Sequence, residues 1–113
     1  MKRGEIWVAA GSGYSSKPRP MLVIQDDHFS NTDSVTVIPI TSQDINAPLF
    51  RVPVPAGAAT GLHNDSFLMV DKIMTVKRSS AATHIGEISH ETMLAADRAI
   101  ATFLGFATPV TSR

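Results

Sequence analysis

The sequence reads Lys17-Pro18-Arg19-Pro20-Met21-Leu22-Val23-Ile24-Gln25 in one segment and Val37-Ile38-Pro39-Ile40-Thr41-Ser42-Gln43 in another. Each segment is a run of aliphatic and β-branched residues with polar groups at its ends, which predicts a buried strand. If the two strands pair antiparallel, the start of the first lies beside the end of the second. Arg19 and Thr41 then share one rim of the sheet, where a guanidinium beside a hydroxyl is suited to holding a phosphate.

The rest of the chain predicts further short strands and then one helix. Strand-like segments are expected at Glu5–Ala9, Phe50–Val54, Ser66–Val76 (with a bend near Asp71-Lys72) and His84–Ile88. Apolar residues recur at helical spacing from Met93 to Leu104, with Ser89 as the N-cap and Gly105 at the C-cap. Pro39 predicts an edge strand or a bulge, and Pro53 predicts an edge strand. The pattern indicates a mainly β fold with a C-terminal helix and a small barrel-like sheet.

Length and composition limit the class of protein. A chain of 113 residues fits one domain over residues 1–113, with a frayed tail at 108–113. The absence of cysteine excludes disulfides, thiolate zinc sites and a cysteine nucleophile. A formal net charge of zero argues against nucleic-acid binding driven by overall charge. A local cationic patch is still expected near the N-terminus. The first 19 residues contain one acidic residue, Glu5, and four basic ones: Lys2, Arg3, Lys17 and Arg19.

The N-terminal segment Met1-Lys2-Arg3-Gly4-Glu5 is not followed by an apolar stretch long enough for a signal peptide, and no apolar run in the chain reaches the length of a membrane span. These observations favour a cytoplasmic protein. Within the segment, Glu5 is expected to form a surface ion pair with Arg3.

Polar residues around the two predicted strand ends form a candidate RNA site. Tyr14 and Lys17 precede the first strand, and Ser42 and Gln43 follow the end of the second. Tyrosine stacks on unpaired bases, lysine and arginine contact phosphates, and glutamine reads base edges. The plainer interpretation treats the rim arginine and threonine as a solvated loop residue and an ordinary strand end.

Other motifs predict no second site. Gly11-Ser12-Gly13 lacks the Gly-Lys-Ser/Thr of a phosphate-binding loop and leads into a strand. The histidines, His28, His63, His84 and His90, have no metal-ligand spacing, so surface or capping roles are expected and no metal or cofactor is assigned. A ribonuclease mechanism with paired histidines stays open, although no spacing points to it.

Several segments together resemble the MazF/PemK toxins of bacterial type II toxin–antitoxin systems. They are Lys2-Arg3-Gly4-Glu5-Ile6-Trp7, Arg19–Gln25, Pro39–Gln43, Gly61-Leu62 with Ser66, Val70–Val76, Ile85–Ser89 and the helix through Leu104. The resemblance covers essentially the whole chain. No single motif decides it, but the joint order and spacing are specific.

The resemblance implies an SH3-like small β-barrel with a C-terminal helix, the MazF/CcdB-like toxin fold, acting as a homodimer. It implies metal-independent, sequence-specific cleavage of single-stranded RNA (mRNA) and a cognate antitoxin that blocks the RNA groove. The family's catalytic arginine falls on Arg19 and its catalytic threonine on Thr41. The first loop departs from the family pattern, and no glutamate occurs at residues 6–86, so a role for a loop carboxylate is in doubt.

RNA cleavage of this kind has a direct chemical route. The 2′-hydroxyl attacks its own phosphate, giving a 2′,3′-cyclic phosphate and a 5′-hydroxyl. Arg19 can neutralise the developing charge and Thr41 can donate to a non-bridging oxygen. Arginine stays protonated and is a poor base, although the family's mechanisms assign proton transfer to it. The sequence identifies no other base.

Two other functions stay open at this point. A gyrase-inhibiting toxin of the same fold would carry a tryptophan near the C-terminus, and residues 107–113 contain none. A catalytically silent SH3-like module that binds RNA or protein would not require both Arg19 and Thr41.

Overall fold

A computed structural model describes residues 1–9 and 18–108. Within these residues the chain forms seven strands followed by one helix, joined in three places by short 3₁₀ turns. The elements are β1 (Glu5–Ala9), β2 (Arg19–Val23), β3 (Ser34–Thr41), β4 (Arg51–Val54), β5 (Ser66–Met69), β6 (Met74–Lys77), β7 (Ala81–Glu87) and α1 (His90–Phe103). Among the described residues, no helix is long and apolar enough to cross a membrane.

All strand pairs are antiparallel, and the sheet has the order β4-β5-β3-β2-β1-β7, with β6 paired to β3. The predicted strand Ser66–Val76 is two strands, because a 3₁₀ turn at Val70–Lys72 interrupts it. Both halves pair with β3: β5 at Ile40–Thr41 and β6 at Ser34–Val37. At the predicted bend the chain therefore moves from the C-terminal part of β3 to its N-terminal part.

The sheet is barrel-like, but strand pairing within the described residues does not close it. The loop from β4 to β5 lies against β7, where the Glu87 amide donates to the Ala59 carbonyl at 2.9 Å. Gly61 permits this contact, because a Cβ there would lie 2.1 Å from the carbonyl oxygen of Ile85. The loop that follows β4, at one edge of the sheet, thus contacts β7 at the other edge.

The hydrophobic core occupies both faces of the central strands. Alternate residues of β2 and β3 enter different clusters, which explains why their sequences read as nearly continuous apolar runs. The larger cluster includes Leu22, Ile38, Leu68, Val70 and two alanines of α1, Ala96 and Ala99. The smaller contains Met21, Val23, Val35 and Val37.

The boundaries of α1 follow its capping residues. The Ser89 side chain accepts a hydrogen bond from the Thr92 amide at 3.0 Å, as the sequence predicts for an N-cap. Gly105 follows the helix with a φ of +87°, the left-handed conformation typical of a helix C-terminus.

The predicted ion pair between Glu5 and Arg3 is wrong. The Arg3 guanidinium binds the Asp97 carboxylate of α1 and donates to the Ile24 carbonyl at 2.8 Å. Glu5 instead accepts hydrogen bonds from the Lys2 amide at 2.8 Å and the indole of Trp7 at 3.0 Å. Arg3 therefore joins the N-terminus to the C-terminal helix.

Candidate active site

The candidate site lies where β2 and β3 separate. Their ladder runs from Val23 opposite Val37 to Met21 opposite Pro39, and the same register continued by two residues places Arg19 opposite Thr41. At this end, however, Arg19 pairs with Ala9 of β1 and Thr41 pairs with Phe67 of β5. The ladder between β2 and β3 ends at Met21 and Pro39 while each strand stays paired on its other edge, which leaves an opening between them.

This opening is a cleft of about 600 Å³. Its polar lining residues are Arg19, Thr41, Ser42, His63, Asn64 and Ser66. Apolar side chains from β1, β3 and β7 complete the walls. The cleft therefore combines a cation with several hydroxyl and amide groups and apolar side chains.

Thr41 has a defined hydrogen-bonding state. Its side chain is half-buried at the end of β3, and its Oγ1 accepts the Gln43 amide at 3.1 Å. Because a hydroxyl has one donor and two acceptor positions, this contact leaves the Thr41 proton unused. This local turn fixes the oxygen that would contact a bound phosphate.

Arg19 is exposed at the start of β2, between two prolines. Pro20 restricts the Arg19 backbone to extended conformations. Within residues 1–9 and 18–108, the Arg19 side chain makes no ion pair. No carboxylate in that part of the chain neutralises its charge, which is therefore available to an anionic ligand.

The other predicted RNA-binding residues divide into two groups. Ser42 is exposed and lines the cleft beside Thr41. Gln43 is exposed just beyond the cleft, and its backbone amide is what contacts Thr41. Tyr14 and Lys17 lie outside the described residues, as does the tail at 109–113.

Sequence reasoning missed the part of the cleft wall that His63, Asn64 and Ser66 form. His63 and Asn64 lie at the end of the long loop from β4 to β5, Ser66 begins β5, and the Ser66 hydroxyl donates to the Asn64 carbonyl at 2.8 Å. His63 was expected to have a surface or capping role. The segment Gly61-Leu62 with Ser66 stood out only through the family resemblance, which gave no reason to place it beside Thr41.

A buried ion pair was also missed, and it lies outside the cleft. Two guanidinium nitrogens of Arg51, in β4, donate to the two carboxylate oxygens of Asp71, at 2.9 Å from Nε and 3.2 Å from Nη2. The hydrogen bonds from Arg51 hold the pKa of the Asp71 carboxyl below its usual value. Within the described part of the chain, no three His, Asp or Glu side chains are grouped as metal ligands would be.

Comparison with known proteins establishes the family. Residues 2–104 match the model of the PemK-like, MazF-like toxins of type II toxin–antitoxin systems. The chain belongs to this family. This PemK/MazF-like toxin is 49% identical over 108 residues to a probable endoribonuclease MazF of Mycolicibacterium smegmatis, covering 95% of this chain and 99% of the relative. It is 34% identical over 110 residues to endoribonuclease MazF6 of Mycobacterium tuberculosis, covering 88% of this chain and 93% of the relative.

Solved structures share the fold of this PemK/MazF-like toxin. An endoribonuclease from a mycobacterial species, solved in complex with its cognate antitoxin, has a TM-score of 0.79 at 24% identity, covering 96% of this chain and 99% of that one. The Mycobacterium tuberculosis toxin MazF-mt6 has a TM-score of 0.76 at 25% identity, covering 89% of this chain and 96% of that one. The predicted mainly β toxin fold with a C-terminal helix is confirmed.

Family membership also confirms the predicted function as a toxin of the endoribonuclease type. It favours neither the gyrase-inhibiting toxin nor the catalytically silent module.

Proposed function

We propose that this PemK/MazF-like toxin cleaves single-stranded RNA in the cleft, with Arg19 and Thr41 as its catalytic residues. The observation that carries the proposal is that both side chains line one cleft from neighbouring strands. Relatives named as endoribonucleases support the reaction. The hydroxyl of Thr41, with its proton left to donate, supports its role toward a phosphate.

The proposed reaction is transesterification within the RNA. The 2′-oxygen attacks the adjacent phosphorus, the bond to the 5′-oxygen breaks, and the products are a 2′,3′-cyclic phosphate and a 5′-hydroxyl. Arg19 neutralises the negative charge that develops on the phosphorane, while Thr41 donates to one non-bridging oxygen. Both contacts strengthen as charge accumulates, so they stabilise the transition state more than the bound substrate.

The residues around the catalytic pair are proposed to bind the RNA. Ser42 is placed to contact a phosphate or ribose, because it is exposed in the same cleft. Gln43 offers its side-chain amide to a base just outside the cleft. Tyr14 and Lys17 complete the proposed set on the strength of the sequence, by stacking and by phosphate contact.

The proposed partners follow from the family. A toxin of a type II system is paired with a cognate antitoxin, which we propose inhibits it by competing with RNA for the cleft. The assembly is proposed to be a homodimer, from the family resemblance. The proposed location is the cytoplasm, where an enzyme that cleaves mRNA meets its substrate.

Substitution of the catalytic pair tests the proposal. Arg19→Ala and Thr41→Ala are each expected to lower the cleavage rate of a fluorescent single-stranded RNA by about 100-fold or more. Arg98→Ala and Thr83→Ala are matched controls, because both residues are exposed and neither lines the cleft. Circular dichroism verifies folding. A folded Arg19→Ala protein that cleaves at the normal rate would overturn the proposal.

A further inference from the structure

Phe67 lies directly beside Thr41, on the side away from Arg19. In the ladder between β3 and β5, Phe67 is the residue opposite Thr41. Directly opposite residues of an antiparallel pair share one face of the sheet, with their Cβ atoms about 4.5–5.5 Å apart. The other neighbour of β3 is β2, so Thr41 lies between the strand of Arg19 and the strand of Phe67.

The ring of Phe67 is only half-buried, whereas its neighbours Ser66 and Leu68 in β5 are buried. The strand therefore turns alternate residues into the core and leaves Phe67 on the face that it shares with Thr41. On the other side of β5, Phe67 is opposite Pro53 of the edge strand β4, which is exposed. This row of the sheet thus carries a partly open aromatic ring between a hydroxyl and an exposed proline.

Phe67 is also an unpaired aromatic residue within the described part of the chain. Trp7 stacks on His84, with ring centroids 5.1 Å apart, and Phe50 contacts Phe103 at 6.2 Å. Among residues 1–9 and 18–108, no aromatic ring packs on Phe67 in this way. Its exposed surface is therefore free to receive a flat ligand from solvent.

A phosphate held by Arg19 and Thr41 would bring a nucleotide to this ring. The proposed catalytic pair lines the opening between β2 and β3, and Phe67 lies one strand beyond it, beside the cleft and outside its lining. Neighbouring strands are about 4.8 Å apart, so a base joined to that phosphate through its ribose can reach the strand of Phe67. Unpaired bases of single-stranded RNA stack on aromatic side chains.

We infer that Phe67 is a base-stacking residue for the RNA substrate, an inference that rests on the proposed function of the cleft. The ring receives a base that flanks the cleaved phosphate, while Arg19 and Thr41 hold the phosphate itself. Stacking tolerates any base, because every base has a π-face. Phe67 therefore contributes affinity for single-stranded RNA and does not select the sequence.

Phe67→Leu tests the inference, because leucine keeps an apolar side chain at this position and removes the ring. The dissociation constant for RNA with a 2′-deoxy sugar at the cleaved position is expected to rise about 10-fold. KM should rise by a similar factor with kcat little changed, since stacking stabilises bound substrate and transition state alike. Phe67→Tyr should retain the affinity. Phe29→Leu, at an exposed position in the 3₁₀ turn before β3, is the matched control.

Photocrosslinking distinguishes stacking from a purely structural role. A 5-iodouridine placed in turn on each side of the cleaved position should crosslink to residue 67 of the unsubstituted protein, and mass spectrometry identifies the residue. Phe67→Leu should give no crosslink at this position. Weaker binding by Phe67→Leu without a crosslink to Phe67 in the unsubstituted protein would show a structural role and overturn the inference.

The catalytic variants separate this inference from the proposed function. If Thr41→Ala is inactive while Phe67→Leu keeps the dissociation constant and KM of the unsubstituted protein, the inference about Phe67 is wrong and the proposed site stands. If Arg19→Ala and Thr41→Ala are both fully active, the proposed site itself fails.

Discussion

Gly61 holds the loop that carries His63 against β7. Its φ is +74°, and an added Cβ would lie 2.1 Å from the Ile85 carbonyl oxygen. Gly61→Ala is therefore expected to lower the free energy of unfolding by more than about 2 kcal/mol. Gly57→Ala is the control, since its φ is also positive (+145°) but an added Cβ meets nothing within 4 Å in the described structure. Urea denaturation measures both, and equal losses would contradict the steric explanation.

At the same scale, the shared rim of Arg19 and Thr41 was predictable and the wall around His63 was not. Antiparallel pairing brings the start of one strand beside the end of the next, so the two strand sequences suffice to place Arg19 and Thr41 at one rim. No comparable rule places His63, because it lies in a long loop whose path depends on a contact with β7. The same limit applies to Arg3, whose partner Asp97 is 94 residues away in sequence rather than the nearby Glu5.

At the scale of elements, most strand and helix positions followed the sequence, but Ser66–Val76 is two strands and Pro39 does not lie in an edge strand. Pro53 lies in β4, which is an edge strand as predicted. Pro39 lies in β3 at the centre of the sheet, so an edge assignment for it is wrong. On the side away from β2, β3 pairs with β6 up to Val37 and with β5 from Ile40. Pro39 occupies the interval between these partners, which the local sequence does not reveal.

One ion pair, Arg51 with Asp71, links β4 to the 3₁₀ turn after β5. Arg51 is 8% exposed and Asp71 23% exposed. Asp71→Asn is expected to cost about 2 kcal/mol at pH 7, because it weakens hydrogen bonds to a charged, buried guanidinium. Since the pKa of Asp71 is lowered in the folded state, the stabilisation is present above the unfolded pKa of about 3.9 and is lost as the pH falls through the folded value.

Chemical denaturation at pH 7 and under progressively acidic conditions measures the stabilisation that the Asp71 carboxylate contributes. The difference in stability between Asp71→Asn and the unsubstituted protein should narrow on acidification. Asp33→Asn, at an exposed position, should show little effect at any pH. A difference that stays constant down to acidic pH would show that the charge of Asp71 does not contribute.

At the scale of the whole molecule, the proposed chemistry predicts which substrates resist cleavage. A 2′-deoxy sugar at the cleaved position removes the attacking oxygen, so that RNA should bind and stay intact. EDTA should leave the rate unchanged, because Arg19 supplies the positive charge that a metal would otherwise provide. Gel analysis of end-labelled RNA measures both, with a 2′-deoxy sugar at a distant position as the control. Cutting of the substituted site, or loss of activity in EDTA, would show that the reaction is of another type.

Control of the toxin should operate through the same cleft. The chain has a formal net charge of zero, so an inhibitor gains little from overall attraction and must find the local cation at Arg19. An acidic, disordered segment of the antitoxin that folds onto the cleft would meet the same arginine as the RNA phosphate. The two polyanions should therefore exclude each other. In a competition titration, uncleavable RNA and the antitoxin segment are expected to displace each other fully. Arg19→Ala is expected to weaken the binding of both ligands. Simultaneous binding without mutual weakening would mean that inhibition acts from a different surface.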